Sequence, residues 1–261
     1  MTMNLKYLYG PVASWRLGRS LGVDVLSQGE KICNFDCIYC QLGKTGYCPA
    51  RRREFVGSEE VIKEFAGLPA MHIDYITFSG RGEATLASNL SAVLDGIRKL
   101  SNKPAAIITN AALMCDAAVR KELLAFDFVV AKLDACNDEM LSAISRPVSE
   151  IRLSSIIDGL CTFKKEYCGR LAVQTMLIEQ NARHILSFAD IYARIQPDEI
   201  QLNTPLRPCT VAPLSVDEVR RLSGQLTCRL PHIAVKTVYE SEKPDVEALS
   251  EPDTLKRRGK I

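Results

Sequence analysis

Cys33-Asn34-Phe35-Asp36-Cys37-Ile38-Tyr39-Cys40 holds three cysteines, separated by three residues and then by two. Thiolates are soft ligands that suit zinc and iron–sulfur clusters. Spacing this tight lets one loop wrap a single metal centre. Four thiolates would close a tetrahedral site or saturate a four-iron cube, whereas three leave one iron without a protein ligand. An open iron can bind a substrate or a cofactor, so the spacing points to chemistry rather than to a structural staple. The same residues also read as a zinc knuckle completed by Cys48. With Arg51-Arg52-Arg53 facing phosphates, that would be a non-enzymatic zinc or iron–sulfur module binding nucleic acid. A plain electron carrier is a third reading.

Outward from this loop the chain alternates strand and helix. Gly22 to Ser27 alternates apolar and polar residues like a strand and would deliver the chain into the cysteines. Residues 41–57 are polar and basic and read as a loop. Ser58-Glu59-Glu60 reads as a helix start, with acidic residues in the first turn and an end near Gly67. Strands are expected over 73–78, 105–109, 126–133, 171–178, 199–203 and 233–238. Helices are expected over 86–102, 116–124, 138–144, 151–166, 183–195 and 215–227. Such alternation implies right-handed crossovers and a parallel sheet. Counted from Val23 there are six strand–helix units and a seventh strand. An eight-fold barrel needs about 250 residues for its repeats, so a partial α/β barrel of about six strands fits better. One domain is expected over 1–239, including an N-terminal extension at 1–22. A charged tail or flap follows over 240–261.

The chain has 261 residues, 47% of them hydrophobic and 25% charged, with a formal charge of +2. This balance suits an ordinary globular protein and argues neither for nor against nucleic acid. No apolar run approaches the length of a membrane span, and the N-terminus lacks the apolar core of a signal peptide. A cytoplasmic, reducing location follows, in which ten cysteines read as thiols and metal ligands.

Sites in parallel α/β folds lie beyond the C-terminal ends of the strands. That rule selects the cysteine loop, Ser79-Gly80-Arg81-Gly82-Glu83, Asn110, Lys132 and Asp134, then Gln174 with Glu179, Asn181 and Arg183 beyond it, and finally Gln201, Asn203 and Thr204. Gly80 and Gly82 permit close backbone approach to a ligand. Glu83 reads either as a ligand contact or as the first acidic residue of a turn, and Asn110 as a contact or a helix cap. Lys132 interrupts an apolar strand, so it must face a pocket, an acid or a carboxylate. Asp134 reads as a residue that orients it. Arg16 and Arg19 suit carboxylate or phosphate groups of a substrate.

The Cys-x3-Cys-x2-Cys spacing, with aromatic Tyr39 before the last cysteine, resembles the hallmark of the radical S-adenosylmethionine (SAM) superfamily. Within it, the chain resembles the iron–sulfur oxidoreductases related to the tRNA wyosine-base synthases. The matching words are Tyr9-Gly10-Pro11-Val12, Arg16 to Asp24, and Cys33 to Cys40 followed by Gln41-Leu42-Gly43. The resemblance implies a partial (β/α)6 TIM-like barrel. It implies a 4Fe–4S cluster on Cys33, Cys37 and Cys40, with SAM on the fourth iron. Reductive cleavage of SAM would give a 5′-deoxyadenosyl radical that abstracts hydrogen from a substrate. The electron would come from an external donor of flavodoxin or ferredoxin type. Gly82-Glu83, with Ser79 and Gly80, match the segment that holds the amino end of SAM, although Ala84 replaces the usual proline. Tyr39 would lie near the adenine, Asn110 and Gln174 near the ribose, and Lys132 near the carboxylate, with Asn203 and Thr204 completing the rim. Arg16, Arg19 and Gln41 would face the second substrate. No cysteine precedes Cys33, which argues against the pyruvate-dependent wyosine reaction but not against another tRNA base modification.

Overall fold

The computed structural model describes residues 4–49, 51–148 and 150–258. Among them the sheet has eight strands: β1 (Leu8–Ser14), β2 (Gly18–Val23), β3 (Tyr75–Phe78), β4 (Ala105–Thr109), β5 (Phe128–Lys132), β6 (Arg170–Met176), β7 (Glu199–Asn203) and β8 (Ala234–Thr237). They lie side by side in chain order, and β2 to β8 are all parallel. The seven parallel strands and six crossovers are those expected from the alternation. Sequential order without pairing between β8 and β1 makes a curled, open barrel.

The crossovers are carried by α1 (Ser58–Ala66), α2 (Leu90–Arg98), α3 (Ala117–Leu123), α4 (Asp138–Met140), α5 (Leu153–Glu166), α6 (Glu179–Ala182), α7 (Ile185–Ile195) and α8 (Val216–Arg229). The main core lies between these helices and the sheet, and includes Val93, Ile107, Val129, Phe163, Phe188 and Tyr192. A small second cluster of Leu17, Ala106, Phe128, Val130 and Ala172 fills the inside of the barrel. Beside it Glu199 is buried and pairs with Arg170 and Lys236. Both ends of the lumen are therefore differentiated: one is closed by packing, the other carries the rim.

Several elements differ from the sequence reading. The first parallel strand is Gly18–Val23 rather than 22–27, because polar Arg19 and Ser20 hide its start. It pairs with an antiparallel strand, β1, that the Gly10-Pro11 pair concealed. Its register shifts between Tyr9 and Val12, and an edge strand tolerates proline at such an irregularity. The helix expected over 86–102 is a short 3-10 turn, Ala84–Leu86, followed by α2. The segment at 138–144 becomes α4 and then a π turn, Leu141–Ser145, ended by left-handed Arg146. Within the charged stretch 240–261, α9 (Glu251–Arg258) packs on β1, and Asp253, Thr254 and Arg257 are buried. Gly259 to Ile261 lie outside the described residues, as do Met1 to Met3 at the start of the 1–22 extension. Among the described residues no helix is long and apolar enough to cross a membrane.

Candidate cluster and cofactor site

The cysteine loop is tied down on two sides. Ile32 N donates to Arg81 O (2.9 Å) and Glu83 N to Ile32 O (3.0 Å), which joins the loop to the turn after β3. Asp36 N donates to Ser145 O (3.0 Å) and Ile38 N to Ile144 O (2.9 Å), so the π turn supports the other side. Cys33 is buried and Cys37 and Cys40 are half-buried. Burial pushes the Cys33 thiol up, as does the Glu83 charge. Burial also pushes Cys37 up, to about 11, against the opposing pull of Lys132. Burial thus favours the neutral thiol at Cys33 and Cys37. All ten cysteines are free thiols. Among the described residues no three His, Cys, Asp or Glu side chains converge on one metal ion.

The turn after β3 is built around two close approaches. A Cβ at Gly82 would lie 1.6 Å from Ile32 O, and Gly82 also has φ +150°. A Cβ at Gly80 would lie 2.3 Å from the Asp24 carboxylate. Both glycines therefore seat the turn against the chain's own loop and β2 end. Glu83 is buried and caps the 3-10 turn through Thr85 N (3.0 Å). Its carboxylate also accepts from Thr109 Oγ1 and Asn110 N, both at 2.6 Å. It binds the end of β3 to the end of β4. Asn110 Nδ2 donates to Asn34 Oδ1 (2.6 Å) and faces Cys33 Sγ at 3.9 Å. Ser79 Oγ meets Tyr9 Oη at 2.6 Å.

On the far side of the rim Tyr39, Lys132 and Asp134 form one network. Lys132 Nζ donates to Tyr39 Oη (2.8 Å), sits 3.1 Å from Asp134 Oδ2 and lies 4.5 Å from the Tyr39 ring centre. Tyr39 Oη donates to Asp134. Burial and then the Asp134 charge hold the Tyr39 hydroxyl well above its ordinary range. The lysine thus has an acid partner, and Asp134 is itself fixed by Met176 N (2.6 Å). Lys132, Gln174 and Gln201 are register partners across β5, β6 and β7, so they form one row on the same face. Gln174 is buried and its Oε1 has no partner. Thr204 Oγ1 is occupied by Leu177 O and Leu214 N, both at 2.9 Å, and Asn203 Oδ1 accepts from Thr204 N (3.0 Å).

Of the three residues expected to face a second substrate, Gln41 borders the loop and accepts from Arg207 Nη1 at 2.9 Å. Arg16 is half-buried beside Trp15, 5.0 Å from its ring centre, and its Nε and Nη1 are sealed without partners. Arg19 lies at the opposite end of β2, where Asp74 binds its backbone N (2.7 Å) and side chain (3.7 Å). Tyr9, Asn34, Asp24, Arg207 and Arg257 also shape the site and were not singled out in the sequence. Arg207 lies in an irregular loop, where no periodicity marks it. Asp24 sits within the quoted Arg16-to-Asp24 word, but its partner lies 233 residues away.

These residues fit a thiolate-bound cluster with a nucleoside cofactor. The donors at the loop are three sulfurs. The buried Asn34 Nδ2 and Gln174 Oε1 are an unpaired donor and an unpaired acceptor where such groups would sit.

No family model matches the chain. It is 40% identical over 211 residues to the UPF0026 protein slr1464 of Synechocystis sp., covering 80% of this chain and 78% of that protein. Its fold matches SuiB of Streptococcus suis bound to S-adenosylmethionine, with TM-score 0.61 and 14% identity over 85% of this chain and 50% of that one. It also matches a radical SAM methyltransferase from Sphaerobacter thermophilus, with TM-score 0.63 and 16% identity over 84% of this chain and 65% of that one. This chain thus spans half the length of SuiB. An open barrel of sequential parallel strands and a relative 40% identical over four-fifths of the chain lead to one statement: the chain belongs to the UPF0026 protein family and has the fold of radical SAM enzymes.

Proposed function

We propose that the protein is a radical SAM enzyme in which Cys33, Cys37 and Cys40 hold a 4Fe–4S cluster. The observation that carries the reading is a loop of three thiols set against a rim of buried polar groups at the C-terminal ends of parallel strands. When bound, the cluster and SAM supply a 5′-deoxyadenosyl radical that removes a hydrogen atom from the substrate. The chain's own residues place and shield that chemistry. Asn110 and Asn34 offer amide donors beside Cys33. The turn from Ser79 to Glu83 presents backbone to the amino end of SAM, and the buried Glu83 carboxylate fixes its shape. Gln174 Oε1 is free to accept from a ribose hydroxyl. Lys132, held by Asp134, is the cation nearest Tyr39 and the one suited to the SAM carboxylate. An external donor of flavodoxin or ferredoxin type supplies the electron.

The test is anaerobic incubation of the reconstituted protein with dithionite and SAM. Formation of 5′-deoxyadenosine is expected, at a rate well above that of a cluster-free control. A plain electron carrier or a zinc module would form none.

A further inference from the structure

The buried Asn110 side chain is held at the end of β4 by three fixed contacts. Its Oδ1 accepts from Ala112 N at 3.0 Å, which settles which end of the amide is oxygen. Its Nδ2 gives one N–H to Asn34 Oδ1 at 2.6 Å. Its backbone N donates to the buried Glu83 carboxylate at 2.6 Å. The chain then turns through Ala111, which is left-handed with φ +63°. A primary amide nitrogen carries two N–H groups. Among the described residues the acceptor beside the second one is Cys33 Sγ, 3.9 Å away. That sulfur also accepts from Phe35 N at 3.4 Å. Cys33, the buried cysteine of the trio, therefore has two N–H groups directed at its sulfur. One comes from its own loop and the other from a neighbouring strand end.

Hydrogen bonds to the sulfurs are among the features that set the potential of an iron–sulfur cluster. The step concerned is uptake of one electron by the oxidised cluster from the external donor, with no bond broken. Reduction adds one negative charge to a centre already held by thiolates. An N–H pointing at a ligating sulfur presents its positive end to that charge. It stabilises the reduced form more than the oxidised form and so raises the potential. Burial strengthens the effect, because the surroundings screen it less than water would. Aim matters for the same reason, and Asn34 supplies it by holding the amide through its own oxygen.

We infer that Asn110 is a positioning residue for electron uptake: through an N–H···S hydrogen bond to Cys33, braced by Asn34, it makes the cluster easier to reduce. The inference rests on the proposed cluster at Cys33, Cys37 and Cys40.

The experiment is a redox titration of the anaerobically reconstituted full chain without SAM, followed through the electron paramagnetic resonance of the reduced cluster. Asn110→Ser keeps an oxygen for Ala112 N but has no N–H to offer Cys33. Its iron and sulfide content should match that of the unsubstituted protein, and its potential should be lower. At a fixed ambient potential the ratio of reduced to oxidised cluster should fall by at least about threefold. That is about 28 mV, at 59 mV per tenfold for one electron. A purely structural effect would move the potential the other way, since a loosened loop admits water and water favours the more charged, reduced form. Arg19→Met, at the opposite barrel end, should leave the potential unchanged. A second measurement needs no variant. Protein grown with asparagine carrying 15N only in its side-chain amide should show a hyperfine coupling from that nitrogen to the reduced cluster. Absence of the coupling would overturn the inference. So would an unchanged or raised potential in Asn110→Ser with a full cluster, and the radical reading would then survive. An unsubstituted protein that takes up no four-iron cluster would overturn both. If the potential falls as expected but no 5′-deoxyadenosine forms, the role of Asn110 stands and the radical reading fails.

Discussion

Cys37→Ala is expected to yield a folded chain that retains almost no iron, whereas Cys48→Ala keeps the full complement. After anaerobic reconstitution the iron content should fall from about four per chain to near zero in the first variant and stay unchanged in the second. The reason is geometric. Cys33 is buried and Cys37 half-buried in a loop fixed by the β3 turn on one side and the π turn on the other. Removing Cys37 deletes one of three thiolates that no neighbouring side chain can replace. Cys48 is exposed, and its thiol feels the Glu150 charge rather than the other cysteines. Iron and labile sulfide analysis checks both variants. If Cys48→Ala empties the site as fully as Cys37→Ala, the fourth ligand is a cysteine and the zinc-knuckle reading replaces the open-iron one.

The second large effect concerns α9. Arg257→Met should lower the unfolding free energy by about 3–5 kcal/mol, the usual cost of removing one partner of a buried ion pair. Arg257 Nε lies 3.2 Å from Asp24 Oδ2, and the two side chains are 4% and 1% exposed. The same guanidinium donates to Ser27 Oγ (2.8 Å), Asp253 O (3.0 Å) and Lys6 O. Asp24 in turn accepts from Arg81 N at 3.3 Å and lies directly behind Gly80. Loss of the arginine leaves a buried carboxylate under the turn proposed to hold SAM. Urea unfolding measures the effect. Asp24→Asn combined with Arg257→Met should recover most of the loss, since no unpaired charge remains. A change below about 1 kcal/mol in the single variant would show that α9 is not an integral part of the barrel.

The sequence spoke clearly where local pattern and burial coincide. Ala105 to Thr109 and Glu199 to Asn203 were readable residue for residue, because each is a short buried run between turn signals. β1 was hidden by Gly10-Pro11, which reads as a breaker but is tolerated at a sheet edge. α9 was hidden by its charge: Glu251 to Arg258 looks solvated, and only the distant Asp24 makes burial of Arg257 affordable. The cysteine loop was legible from spacing alone. The duties of Glu83 were not, since its partners Thr109 and Asn110 lie in the next strand unit. The pairing of Lys132 with Asp134 could be anticipated from their spacing, but the third member, Tyr39, comes from the cysteine loop. Arg207 carries no local signal; the fold sets it against Gln41 and the backbone of Arg258.

In the proposed reaction one iron of the cluster is left open to SAM. Electron paramagnetic resonance of the dithionite-reduced protein, recorded before and after SAM is added, tests this directly. A reduced 4Fe–4S signal whose g-values move on addition of SAM is the expected result. A signal that SAM leaves unaltered, or anaerobically purified protein that holds a mononuclear zinc instead, would contradict it.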